Sequence, residues 1–71
     1  MASSGAVRQR KYRIGQSVFY YRGGRDRGNK AGLFIVLNTF SRPSGEIRYR
    51  IRSQNDPSIE YVARENELDV H

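Results

Sequence analysis

Residues 47–52 read IRYRIR. Apolar and charged side chains alternate there without a break, and a period of two belongs to a β-strand, whose successive side chains point to opposite faces. Ile47, Tyr49 and Ile51 therefore face a core, while Arg48, Arg50 and Arg52 face away from it. Such a strand is stable only inside a sheet whose other members cover the same apolar face. In a chain of 71 residues that sheet makes up one small domain.

Three further segments read as strands. Gln16 to Tyr21 (QSVFYY) puts Val18 and Tyr20 on one face and Phe19 and Tyr21 on the other. Leu33 to Phe40 (LFIVLNTF) is rich in β-branched and aromatic residues; it is apolar on both faces at its start, as a central or bent strand is. Ser58 to Ala63 (SIEYVA) has an open facing, because Ile59, Tyr61 and Val62 all compete for burial. Turn chemistry separates them. Arg42-Pro43-Ser44-Gly45 predicts a hairpin between the second and third strands, and Asn55-Asp56-Pro57-Ser58 a second turn. Arg64-Glu65-Asn66-Glu67-Leu68 is too short for an α-helix and predicts a 3₁₀ turn that docks Leu68 on the core. Asp69-Val70 is a candidate fifth strand. No window sustains a 3.6-residue period.

Several short strands and almost no helix predict an all-β fold, a small antiparallel barrel of four to five strands. The order of elements resembles the Src-homology-3-like small barrels, including the Tudor-like and KOW-type domains. The matching residues are Gly15-Gln16-Ser17-Val18, Gly32-Leu33-Phe34-Ile35-Val36 and Val62…Glu65…Leu68, and the resemblance spans roughly residues 13–70. Gln16 departs from it, standing where an acid is usual. The resemblance implies an SH3-like barrel over residues 12–71 and a ligand drawn from RNA, DNA, peptides or methylated side chains. Residues 1–11 show no periodicity and are expected to be a disordered basic arm.

Charge is unevenly placed. Residues 1–30 carry eight basic side chains and one acid, whereas residues 31–71 carry five basic and six acidic, within a net charge of +6. That asymmetry suggests an anionic partner, nucleic acid first among them. The chain has no cysteine, which excludes disulfides and thiolate zinc and fits a reducing, cytoplasmic setting. Its longest apolar run, Leu33 to Leu37, is far short of the roughly 20 residues of a membrane-spanning helix, and no apolar segment of a secretory signal follows the basic N-terminus. No membrane is expected as a partner.

Two basic constellations stand out. Residues 20–32 (YYRGGRDRGNKAG) form a glycine-rich loop with Arg22, Arg25, Arg27 and Lys30, suited either to phosphate contact or simply to solubility. The spacing does not make a phosphate-binding P-loop, since Lys30 falls one place late and no Ser or Thr follows it. Arg48, Arg50 and Arg52 repeat every 6.6–6.8 Å or so along one strand face, giving a row that follows a nucleic-acid backbone or a solvated face balanced by Glu46 or Glu60 across the sheet. Phe19 and Tyr21 border the loop as candidate stacking surfaces, or as part of an aromatic cage for a methylated cation.

Catalytic and metal chemistry find no support: the one histidine is His71, no serine has a nearby base, and the ligand spacings of a metal site are missing. The sequence thus predicts a non-catalytic module without a cofactor that contacts nucleic acid, RNA or DNA, mainly through backbone charge. The alternative is a protein-interaction module, or a subunit of a larger assembly, using an apolar patch of Phe19, Tyr21, Leu33 and Ile35.

Overall fold

Five strands make one antiparallel sheet in the computed structural model, which describes residues 11–71. They are β1 (Ser17–Tyr21), β2 (Lys30–Ser41), β3 (Ile47–Ser53), β4 (Glu60–Arg64) and β5 (Leu68–Val70), in the spatial order β4-β3-β2-β1-β5. Single 3₁₀ turns occupy Arg25–Arg27 and Glu65–Glu67. The expected all-β fold, its strands and its C-terminal 3₁₀ turn are present. β2 begins three residues earlier than the sequence pattern indicated, which shortens the basic loop, and the Arg25–Arg27 turn was not foreseen.

The strand order implies strong curvature. β4 and β5 lie at opposite edges, four strand spacings apart, about 19 Å in a flat sheet. Only residues 65–67 join them, and they are coiled into a 3₁₀ turn rising about 2 Å per residue. The sheet must therefore curl until its edges nearly meet. The expected barrel is not closed, however. β4 pairs only with β3 and β5 only with β1. The edges are joined by the covalent chain through the second 3₁₀ turn, not by a ladder of hydrogen bonds.

β2 carries the bend. Its first part pairs with β1 and its last part with β3, and both neighbours overlap at Phe34 and Ile35. Between Val36 and Asn38 the β2–β3 register shifts by one residue. A bulge of this kind bends a strand and inverts the facing of everything after it. Before it, Phe34 and Val36 point into the core. After it, Thr39 and Ser41 lie opposite the buried Tyr49 and Ile47, and Phe40 is turned outward with 40% of its surface exposed.

The predicted hairpin between β2 and β3 forms at Arg42-Pro43-Ser44-Gly45, where the Gly45 amide donates to the Arg42 carbonyl at 2.8 Å. Gly45 has φ 91°, a conformation that other residues rarely adopt. In the second turn Asp56 Oδ1 accepts from the amide and hydroxyl of Ser58, which hold its carboxyl below the ordinary value. The open question over β4 is resolved by register: Tyr61 and Ala63 lie opposite Ile51 and Tyr49 and face the core, so Val62 points out.

The core comprises Tyr12, Val18, Tyr20, Phe34, Val36, Ile47, Tyr49, Ile51, Ala63 and Leu68. Tyr12 precedes β1 and is buried, its ring edge-on to Tyr49 at 5.4 Å and its hydroxyl donated to the Leu68 carbonyl at 2.9 Å. The fully buried Tyr49 donates its hydroxyl to Glu65 Oε2 at 2.6 Å and accepts the amides of Lys11 and Tyr12. One hydroxyl thus joins β3, the second 3₁₀ turn and the segment leading into β1. The Lys11 amide, counted with the basic arm in the sequence reading, is part of this junction and also reaches Glu65 Oε2 at 3.2 Å. The rest of the predicted basic arm, residues 1–10, lies outside the described residues.

Burial, and then the bond to Glu65, push the Tyr49 hydroxyl up to about 12. A raised value in the folded state means that the neutral phenol stabilises the fold. That stabilisation is fully present below the ordinary tyrosine value of 10.0 and is lost as pH rises towards 12. Tyr49→Phe removes the junction and leaves the buried Tyr12 amide without its acceptor, while the Lys11 amide keeps Glu65 Oε2, at about 1–3 kcal/mol. Its melting temperature should fall by on the order of 10 °C near neutral pH, and calorimetry at pH 7 and pH 11 should show the gap to wild type narrowing at the higher pH.

Candidate nucleic-acid interface

β3 delivers its arginines to the outer face as its alternation requires. Ile47, Tyr49 and Ile51 are buried, and Arg48, Arg50 and Arg52 stand opposite outward residues on both neighbouring strands. Arg48 lies between Phe40 and Arg64, Arg50 between Asn38 and Val62, and Arg52 between Ile35 and Glu60. The outer surface of β2, β3 and β4 is thus a small grid. It has an aromatic and amide strip on β2, a guanidinium strip on β3 and a mixed strip on β4.

Two carboxylates hold the grid in order. Glu60 Oε1 receives Arg50 at 2.9–3.0 Å, and Glu60 Oε2 receives Arg52 at 3.0–3.2 Å. Glu46 Oε1 receives Arg48 at 3.1 Å, with Arg42 and Arg64 each 3.9 Å from the same carboxylate. The Glu60 pairs are cross-strand, as anticipated; Glu46 meets Arg48 two residues along the same stretch of chain and reaches across only to Arg42 and Arg64 at 3.9 Å. Five guanidiniums meet two carboxylates, leaving a net +3 among the described residues of this face. A guanidinium has five N–H donors; Arg52 places two on Glu60 and keeps three, while Arg50 donates one through Nε with its Nη2 2.9 Å from the same oxygen. Arg48 lies closer to the sheet, its Nε buried without a partner.

The loop arginines do not converge in the same way. Arg22 Nη2 lies 3.4 Å from the Tyr61 hydroxyl, and its guanidinium 5.9 Å from that ring's centre. Arg25 pairs with Asp69 at 3.7 Å. Arg27 folds over Gly23, where an added Cβ would meet its Cδ at 3.0 Å. The Lys30 ammonium sits 3.9 Å above the Phe19 ring. Arg22 and Lys30 share an open concavity of about 550 Å³ with Asn29 and Ala31. Arg25 lines a separate one with Asp26 and Asn66.

Glu67 anchors this loop, accepting the Gly23 amide at 3.0 Å through Oε2 and the Arg64 amide at 2.9 Å through Oε1. The acidic C-terminal stretch therefore pairs with the basic loop inside the molecule, through Glu67 and Asp69. Of the loop's four basic residues Arg22, Arg25, Arg27 and Lys30, it is Arg22 and Lys30 that line a common surface.

Phe19 and Tyr21 face outward, as their alternation indicated, but both are half-buried, and Phe19 lies between Lys30 and His71. The apolar patch of Phe19, Tyr21, Leu33 and Ile35 is half-buried throughout. The aromatic rings that do converge are Tyr20, Phe34 and Tyr61, with centroids 5.3–5.8 Å apart. Tyr20 and Phe34 are buried, so this trio is packing and leaves no open cage. Sequence reading missed Phe40 and Asn38 as outward residues. The signal was the bulge, which strand periodicity does not reveal.

Among the described residues no helix is long and apolar enough to cross a membrane, and no group of three or more His, Cys, Asp or Glu side chains could hold a metal ion. In comparisons with known proteins, no protein family, curated protein or solved structure matches the chain.

Hydrogen bonds from Arg52 and Arg50 hold the Glu60 carboxyl below its ordinary value of 4.5. Arg48 does the same for Glu46, with Arg64 and Arg42 adding smaller effects. A lowered value means that the ionised form stabilises the fold. This contribution is present above pH 4.5 and is lost as pH falls through the lowered values. Carbon-detected NMR titration should therefore show both glutamates ionising below 4.5. In Arg52→Gln the Glu60 midpoint should move back towards 4.5.

Proposed function

We propose that this protein is a non-catalytic nucleic-acid-binding module whose contact surface is the outer face of β2, β3 and β4. Phosphates are held there by charge. The observation that carries this reading is the grid in which Arg48, Arg50, Arg52 and Arg64 stand in register and, with Arg42 of the adjoining hairpin, exceed two ordering carboxylates by three charges. Three like charges in line on one strand are a costly way to make a merely soluble face, because cross-strand and same-face repulsion must be offset. Their fixed spacing presents forked donors in a row, and bidentate phosphate contact needs that arrangement. Phosphate contacts position a partner without reading its sequence. The chain's overall charge of +6 adds a long-range attraction for a polyanion.

The test is the salt dependence of binding. In the triple variant Arg48→Gln, Arg50→Gln, Arg52→Gln, affinity for a labelled oligonucleotide should drop. The slope of log affinity against log salt should become shallower by about 2–3. Glu60→Gln should do the opposite, since it removes a negative charge and releases the donors of Arg50 and Arg52. Unchanged binding and slope in the triple variant would remove this reading.

A protein or peptide partner is the second reading, and one observation favours it: the outward Val62 on the same face is 54% exposed. An apolar peptide site would survive the triple replacement, and would be indifferent to Glu60→Gln.

A further inference from the structure

The bulge in β2 has a specific chemical result. One extra residue near Leu37 converts what would be an inward Phe40 into an outward one. The exposed ring is the direct cross-strand neighbour of Arg48, and the exposed Asn38 that of Arg50. An aromatic surface and an amide thus lie on one strand, and a row of phosphate donors on the next, one strand spacing of about 4.8 Å away.

We infer that this face takes a single-stranded nucleic acid, with a base stacked on Phe40 and the adjoining phosphates on Arg48, Arg50 and Arg52. The inference rests on the nucleic-acid reading above and narrows it to one form of the ligand. A duplex keeps its bases stacked on each other and offers this face only phosphates. A single strand offers both surfaces, and stacking on an aromatic side chain accepts any base because every base has a π-face.

The spacing agrees. Successive bases in a stacked strand repeat at about 3.4 Å. A ring inserted between two of them widens that one step to about 6.8 Å, close to one interval of the arginine row, the 6.6–6.8 Å or so between alternate residues of β3. Asn38, two residues before Phe40 on the same outward strip, presents an amide donor and acceptor toward base edges. Glu46 and Glu60 keep the arginines extended along the strip before the ligand arrives, so that less side-chain entropy is lost on binding.

The experiment is an anisotropy titration of the full chain against labelled oligo(dT), oligo(U) and a duplex of equal length, with Phe40→Ala and Phe40→Trp beside the arginine triple variant. Phe40→Ala should weaken single-strand binding about 5- to 150-fold while leaving the salt slope and duplex binding unchanged. The chain has no tryptophan, so Phe40→Trp adds one fluorophore. It should retain single-strand binding, and its emission should be quenched by oligo(dT) but not by the duplex. Thermal melts of both variants check the fold, which an exposed ring should influence little.

Arginine-dependent binding that ignores Phe40, or an unquenched tryptophan, overturns the inference while leaving the charged face intact as a phosphate-binding surface. Binding of no oligonucleotide in an arginine-dependent way removes both.

Discussion

The three-residue link between β4 and β5 governs the architecture. It joins opposite edges of a five-stranded sheet, and it reaches only if the sheet curls. Curling needs a long shared strand and a place where that strand can bend. β2 supplies the length, and its bulge marks the place. The inside of the curl takes every apolar ring that can reach it. The outside keeps what alternation leaves there, which on β3 is arginine. The same curl brings the second 3₁₀ turn over β3, where the Tyr49 hydroxyl meets Glu65 and ties down the chain before β1.

Two sets of cations receive different treatment. On the outer face each carboxylate serves several guanidiniums, so positive charge remains in excess and its bearers are aligned. Around the first 3₁₀ turn the cations are dispersed. Arg25 goes to Asp69, Arg22 to Tyr61 and Lys30 to Phe19. The loop's glycines serve geometry: Gly24 is buried at φ 117°, where a Cβ would lie 2.9 Å from Asp26 Oδ1. Its composition suited phosphate contact or solubility; its structure is a turn tethered through Gly23 to Glu67 and Arg25 to Asp69. Counting charges along a chain cannot separate these cases, because the partners lie on strands distant in sequence.

The fold was largely legible. The period of two at Ile47–Ser53, the Pro-Gly hairpin signal and the short acidic 3₁₀ segment each rest on local backbone chemistry, and each is present. The facing of β4 was not legible, since Ile59, Tyr61 and Val62 are interchangeable in hydrophobicity. Only pairing with β3 ranks them. The bulge was hidden for a related reason. An inserted residue alters register, and register belongs to two strands together.

Residue identity alone therefore determined the all-β class, the inward and outward faces of β3, and the existence of an arginine row, because those follow from a two-residue period that the backbone imposes. The tertiary structure alone decided which carboxylates align that row, that the loop cations are tied within the molecule, and that Phe40 stands beside the arginines. Each of these depends on how strands far apart in sequence fall into register around a curled sheet, and no local rule carries that information.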